Sequence, residues 1–262
     1  MPTDATILPA DFLGKEFVAR VLEGKPTSDA RLKLAQMMLE DPEVADAYQE
    51  LFGDLRLAPS LAAGNSILVT STSPDEGKTT VSLCLAVTAS RAGKTALLID
   101  GDLRRSSLTA AIGGDENAGL IEVLLGQTEA DEAIRHAAIE APKTAGVSFM
   151  PAGRKPPLSL GAVDWPKGRA AFKSISQEFG FVFLDSPPVL AANDALLFAG
   201  MVDAILLVVG AGSANLDEIK RAKELLNSIG TPIIGAVLNR FKPRLHGRSN
   251  LPYSGYCRRS RP

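Results

Sequence analysis

Few stretches leave a chain as little freedom as residues 70–80 do here, TSTSPDEGKTT. They follow the apolar run Ile67-Leu68-Val69, which reads as a buried strand, and lead into residues 79–92, which read as a helix stopped by Gly93. A strand, a polar loop ending in Gly-Lys-Thr and a helix make the context of a Walker A phosphate loop. In such a loop, backbone N–H groups and the helix N-terminus cradle phosphate oxygens. Lys78 is expected to reach the β and γ phosphates of ATP, and the Thr79 hydroxyl to bind Mg²⁺. Pro74, Asp75, Glu76, Gly77 and Thr80 are expected to complete the nucleotide contacts. The first position of the general pattern, usually Gly, is Thr72.

The residues around the loop alternate between short apolar runs and helical stretches. Runs at 95–99, 147–150, 181–184, 204–209 and 233–238 read as further strands. Helices are expected at 43–57, 120–125, 129–138, 169–178, 194–199 and 216–228, with a helical pattern also beginning at Ser28. Residues 151–166, rich in Pro and Gly, read as a loop, and residues 1–30 as a loosely structured lead. Continuous apolar strands separated by helices imply a parallel sheet covered on both faces. The fold class is therefore α/β, a P-loop NTPase three-layer fold with a mainly parallel central sheet. It is divided into a helical N-terminal extension (1–63), a nucleotide-binding domain (64–242) and a basic C-terminal tail (243–262).

Ligands in such sheets bind at the carboxyl ends of the strands. There the sequence places Asp100 and Asp102, in LLIDGDLR, and Asp185, in FVFLDSPP. A carboxylate directly after an apolar strand is costly unless it meets a ligand or solvent. In a phosphate-loop protein such groups hold Mg²⁺, and Asp100 could also take the proton of an attacking hydroxyl. Asp102 and Asp185 join Thr79 as candidate metal ligands. Capping of the next helix is the simpler role open to each Asp alone.

Charge is unevenly spread. Residues 240–262 carry seven Lys/Arg and no Asp/Glu, leaving 21 basic against 30 acidic residues elsewhere. A basic tail on an acidic body suits contact with an anionic membrane or an acidic partner face. No aromatic or helical recognition pattern points to a specific nucleic acid. The two cysteines, Cys84 and Cys257, make no disulfide framework, so a reducing cytoplasm is expected. The first residues lack the order of a signal peptide, and no run approaches the ~18 apolar residues of a membrane span. His136 and His246 have no partners at metal-ligand spacing, and Trp165 reads as a packing residue.

The motifs also resemble those of one family. ALLIDGDLR at 96–104 looks like the Walker A′ motif of bacterial tyrosine kinases, LLIDxDxR, and FVFLDSPPVL at 181–190 resembles their Walker B segment. GLIEVLLG at 119–126, MPAG at 150–153, DALL at 194–197, Val202-Asp203 and Leu238-Asn239-Arg240 follow in the family's order, so the resemblance spans about residues 43–242. It implies a cytoplasmic ATP- and Mg²⁺-dependent kinase that phosphorylates tyrosines in its own tail, here Tyr253 and Tyr256. Such kinases work in polysaccharide export, as homo-oligomeric rings, beside a membrane-spanning polysaccharide co-polymerase that activates them. The resemblance places this chain at the inner face of the plasma membrane, held through that partner or the tail.

Residue by residue, the resemblance gives Lys78 and Thr79 the phosphate-loop roles, Asp100 and Asp102 the A′ roles and Asp185 the Walker B role. Asn239 falls where related ATPases contact adenine. Glu50, Gly53 and Arg56 fall on an ExxRxxR ring pattern whose first Arg is replaced by Gly53. Two other departures stand out: Asp75 where the family usually has Gly, and Ser106 where it often has Pro. The sparse tyrosines and these departures leave a second reading, a nucleotide switch without significant kinase activity. A partitioning-type ATPase is disfavoured, because its signature lysine would stand at Ser73.

Overall fold

The computed structural model describes residues 17–21, 40–112, 118–139, 146–154 and 160–240. The chain opens with β1 (Phe17–Val21), α1 (Pro42–Leu57), β2 (Ser66–Ser71), α2 (Lys78–Arg91) and β3 (Ala96–Asp100). It continues with α3 (Ser107–Ile112), α4 (Leu120–Leu124), α5 (Ala130–Ala133), β4 (Arg135–Ile139), β5 (Val147–Met150) and α6 (Trp165–Gln177). It ends with β6 (Phe181–Asp185), α7 (Asp194–Ala199), β7 (Ala204–Gly210), α8 (Leu216–Asn227) and β8 (Ile233–Asn239).

The apolar runs that lack alternation become strands buried along their whole length, as β2, β3, β6 and β7 are. Only a sheet covered on both faces offers that burial. The sheet has the order β1-β8-β7-β2-β6-β3-β5-β4. Every neighbouring pair is parallel except β4 with β5. One face packs on α1, α2 and α3 through residues such as Leu51, Leu85 and Leu108. The other packs on α4, α6, α7 and α8 through residues such as Leu124, Phe172, Phe198 and Leu226. The three expected layers are therefore present. β2 lies between β6 and β7, so the loop that follows it opens at the middle of the carboxyl edge, where the connections diverge to either side.

α1 begins as its sequence demands. Pro42 occupies the first turn, and the Asp41 carboxylate accepts the N–H groups of Glu43 (2.9 Å) and Val44 (3.4 Å). Val44, Tyr48, Leu51, Phe52 and Leu55 form its buried face, while Glu50 and Arg56 lie exposed. Trp165 packs edge-on against Phe198, the packing role expected of it, and His136 is exposed on the edge strand.

Two expectations need correction. Residues 129–138 were expected to be one helix. The helix ends at Ala133, and residues from Arg135 onward pair antiparallel with β5. The alanine-rich sequence favours a helix locally, but pairing with an open sheet edge outweighs a weak propensity. Phe17–Val21, read as part of a loose lead, pairs in parallel with β8 at the other edge. The helical pattern from Ser28 and the tail at 243–262 lie outside the described residues.

One brace joins two segments far apart in sequence. The Glu122 carboxylate is buried and accepts the N–H groups of Gly119 (2.9 Å) and Arg154 (3.1 Å). Leu120 and Ile121 donate to the carbonyls of Pro151 and Ala152. GLIEVLLG and MPAG are thus two halves of one joint. Gly153 has φ +89°, and a Cβ there would collide with Glu122 Oε2. Replacing Glu122 by Ala leaves two N–H donors without their acceptor, so the variant should lose about 2–3 kcal/mol of stability in urea unfolding.

Candidate nucleotide-binding site

The chemistry of the site comes from the carboxyl ends of β2, β3, β6, β7 and β8. β2 runs directly into the phosphate loop, and α2 begins at Lys78. The first N–H groups of α2 have no acceptor within the helix and carry the positive end of its dipole. Gly77 has φ +91°, and a Cβ there would collide with Asn239 Nδ2, so glycine is the residue that fits. Asp75 has φ +62° and lies exposed. The backbone at this position is left-handed, which explains why the family favours Gly. A short acidic side chain tolerates that conformation better than most residues do.

Glu76 and Asn239 turn into the protein. The Glu76 carboxylate accepts the Thr72 hydroxyl (2.6 Å) and the N–H groups of Ser73 (2.8 Å) and Gly210 (3.0 Å). The Asn239 amide donates to the Glu76 carbonyl (2.9 Å). The side chain expected to meet adenine is therefore tied to the phosphate loop, and the Glu76 carboxylate is occupied by protein donors.

The acidic groups meet because β3 and β6 are neighbours, with Asp100 directly opposite Asp185 in the register. The Gly101 N–H donates to the Asp185 carbonyl (2.7 Å), tying the two strand ends together. Asp100 has no exposed surface. Its Oδ1 accepts the Asp102 N–H (3.1 Å), and its Oδ2 accepts the N–H (2.7 Å) and hydroxyl (2.8 Å) of Thr109. Burial raises its pKa to about 6, against these three donors and with some help from the Asp102 charge. Both Asp100 oxygens are thus held by protein donors, one of them the backbone of Asp102. Asp102 accepts the Arg105 N–H (3.1 Å).

Asp185 is also wholly buried. Its Oδ1 accepts the Ser82 hydroxyl (3.2 Å), while its Oδ2 has no hydrogen-bond partner. Burial pushes its pKa up to about 7. The Lys78 charge and the Thr79 hydroxyl pull it down, and the charges of Asp100 and Asp102 push it further up. A buried carboxylate oxygen without a partner is expensive, and a bound cation would offset that cost. Among the described residues no three His, Cys, Asp or Glu side chains could hold a metal by themselves. The hard oxygen donors of Asp185, Asp102 and Thr79 instead fit Mg²⁺, which takes few protein ligands and completes its shell with phosphates and water.

Arg104 forms an ion pair with Asp194 at the start of α7 (Nε to Oδ2, 3.0 Å). Ser106 has φ +45°, a conformation closed to proline, so that departure from the family pattern has a backbone cause. Of the residues expected from sequence, Lys78, Thr79, Asp100, Asp102 and Asp185 converge, while Pro74 and Asp75 lie exposed at the outside of the loop. Thr109 and Ser82, which hold Asp100 and Asp185, were missed. Each lies in a helix with no motif to mark it. Tyr253 and Tyr256 lie outside the described residues.

Residues 67–253 match the CobQ/CobB/MinD/ParA nucleotide binding domain family. The tyrosine-protein kinase CpsD of Streptococcus pneumoniae serotype 4 is 30% identical over 211 residues, which cover 80% of this chain and 90% of that protein. The chain belongs to this nucleotide-binding family and, within it, to the bacterial tyrosine kinases. The crystal structure of the chimerical protein CapA2B2 superposes with a TM-score of 0.75 at 25% identity, over 89% of this chain and 98% of that one. The septum site-determining protein MinD of Pyrococcus horikoshii OT3, solved with Mg-ADP, gives a TM-score of 0.56 at 26% identity, over 68% and 70%. The kinase-type nucleotide fold is thus common to sequence and structure.

The buried Asp185 has a measurable consequence for this kinase-family chain. Without metal or nucleotide, the native state keeps the Asp185 proton up to about pH 7, whereas an unfolded aspartate loses it near pH 4. Between these values the native state binds more protons, so stability falls as pH rises. Thermal unfolding in EDTA should show this decline. Asp185→Asn should reduce it, above all between about pH 6 and 7, where Asp100 with its pKa near 6 contributes least, and raise the midpoint on the alkaline side.

Proposed function

We propose that this chain is an ATP-dependent protein-tyrosine autokinase that regulates exopolysaccharide or capsule synthesis and export. The observation that carries the reading is the meeting of Lys78 and Thr79 with Asp100, Asp102 and Asp185 in a relative of tyrosine-protein kinases. The Lys78 ammonium and the α2 N-terminus would stabilise charge on the transferring phosphoryl group. Thr79, Asp102 and Asp185 would hold Mg²⁺, which supplies neutralisation of the phosphate oxygens. Asp100 and Thr109 keep Asp102 in place, and Ser82 orients Asp185. Tyr253 and Tyr256 are the proposed acceptors.

The proposed partners are other copies of the chain and a membrane-spanning polysaccharide co-polymerase that activates it. On α1, Glu50 and Arg56 are exposed, and nothing lies within 4 Å of the Cβ position at Gly53. That open face supports its use between subunits. No helix among the described residues is long and apolar enough to cross a membrane. Association with the cytoplasmic membrane face would run through the partner or the basic tail.

One observation favours the nucleotide-switch alternative. Tyr48 is fully buried in α1, beside Cys84, which is itself a core residue. It is thereby removed as an acceptor, leaving two of the three tyrosines.

The test is incubation with Mg²⁺ and γ-labelled ATP, with and without the cytoplasmic segment of a candidate activator. Label on tyrosine should appear, and should be lost in Lys78→Met and in the double variant Tyr253→Phe/Tyr256→Phe. ATP turnover with no labelled tyrosine in any sample would leave the switch as the reading.

A further inference from the structure

Glu76 behaves unlike a residue that meets phosphate. It sits within the phosphate loop, between exposed Asp75 and Gly77, yet is only 2% exposed. A buried carboxylate close to a site for anionic phosphates is electrostatically unfavourable unless its charge is fully used. Here it is used three times. Oε2 accepts the Thr72 hydroxyl and the Ser73 N–H, both at the start of the loop, and Oε1 accepts the Gly210 N–H at the end of β7.

The same residue is held from a second side. Its carbonyl accepts the Asn239 amide at the end of β8. The receiving position on β7 is shaped for it: a Cβ at Gly210 would collide with Ser213 Oγ and come within 3.3 Å of Glu76 Cγ. The loop is thus closed on itself by Thr72 and Ser73, and fastened to two strands that are not its own. Without the carboxylate, the Ser73 and Gly210 N–H groups would need other acceptors, and the loop between Ser71 and Lys78 would lose its tie to β7.

We propose that Glu76 is a positioning residue: its buried carboxylate is a strut that holds the phosphate loop in its nucleotide-binding conformation without itself touching nucleotide. This rests on the nucleotide-binding reading of the loop and is independent of any kinase activity. Because the strut acts before nucleotide arrives, its contribution is pre-organisation of the cradle. It should therefore act on ADP as well as on ATP.

The experiment is calorimetric titration of the full chain with Mg²⁺-ADP, alongside thermal unfolding of the nucleotide-free protein. The variants are Glu76→Ala, Glu76→Gln and Thr72→Val, with Lys78→Ala as the control for the binding site. Gln keeps one acceptor but sets an amide N–H against a backbone N–H, and Thr72→Val removes a single bond while sparing the carboxylate. The dissociation constant for ADP should rise at least about tenfold in Glu76→Ala, less in Glu76→Gln and least in Thr72→Val. The Gly210 amide should exchange faster in Glu76→Ala, with the nucleotide-free midpoint altered in none of the variants enough to explain the weaker binding.

Affinity within twofold of the parent in folded Glu76→Ala and Glu76→Gln, with Lys78→Ala still weakened, would overturn the strut. So would a lowered midpoint with unchanged affinity, which would mark Glu76 as a stability residue only. Unchanged affinity in Lys78→Ala would overturn the phosphate-loop reading, and the strut with it.

Discussion

Two carboxylates, Asp100 and Asp185, stand opposite each other at the ends of adjacent, fully buried strands, and the site is built around the cost of keeping them there. Neither has exposed surface, and burial raises the pKa of both. The protein answers the two costs differently. Thr109 and the Asp102 backbone satisfy both oxygens of Asp100. Asp185 receives Ser82 on one oxygen and nothing on the other. One carboxylate is thus satisfied on both oxygens by the protein, and the other keeps one oxygen without a hydrogen-bond donor. This division, rather than the presence of acidic residues alone, distinguishes the two strand ends.

The phosphate loop shows a similar economy. Its conformation needs left-handed backbone at residues 75 and 77, and the chain supplies Asp and Gly there. The Asp departs from the usual glycine, but its side chain lies in solvent, away from the buried part of the loop. Glu76 closes the loop from inside, and Asn239 secures it from β8. The loop is thus tied to β7 and β8, a restraint that its polar, glycine-containing sequence does not announce. Such restraint matters because a phosphate cradle made of backbone N–H groups works only when those groups already point together.

Most of the layered architecture is legible in the amino-acid sequence. Strands β2, β3, β6, β7 and β8 announce themselves because burial on both faces requires uninterrupted apolar residues. α1 announces itself through Asp41, Pro42 and its spaced apolar face. The edges were not legible. Phe17–Val21 and Arg135–Ile139 are strands because a partner edge is available, and pairing between distant segments leaves little trace in a local pattern.

The same contrast holds at the site. The amino-acid sequence alone determined that a phosphate loop with Lys78 and Thr79 would be joined by carboxylates at strand ends. That loop chemistry and those strand boundaries depend on residue type and short-range spacing. Only the tertiary structure decided which way each side chain faces. It turned Glu76 inward onto Gly210, tied Asn239 to the loop, closed Asp100 with Thr109 and left Asp185 Oδ2 open. These choices depend on donors brought close by strand order, and strand order is a property of the packed sheet, not of any one segment.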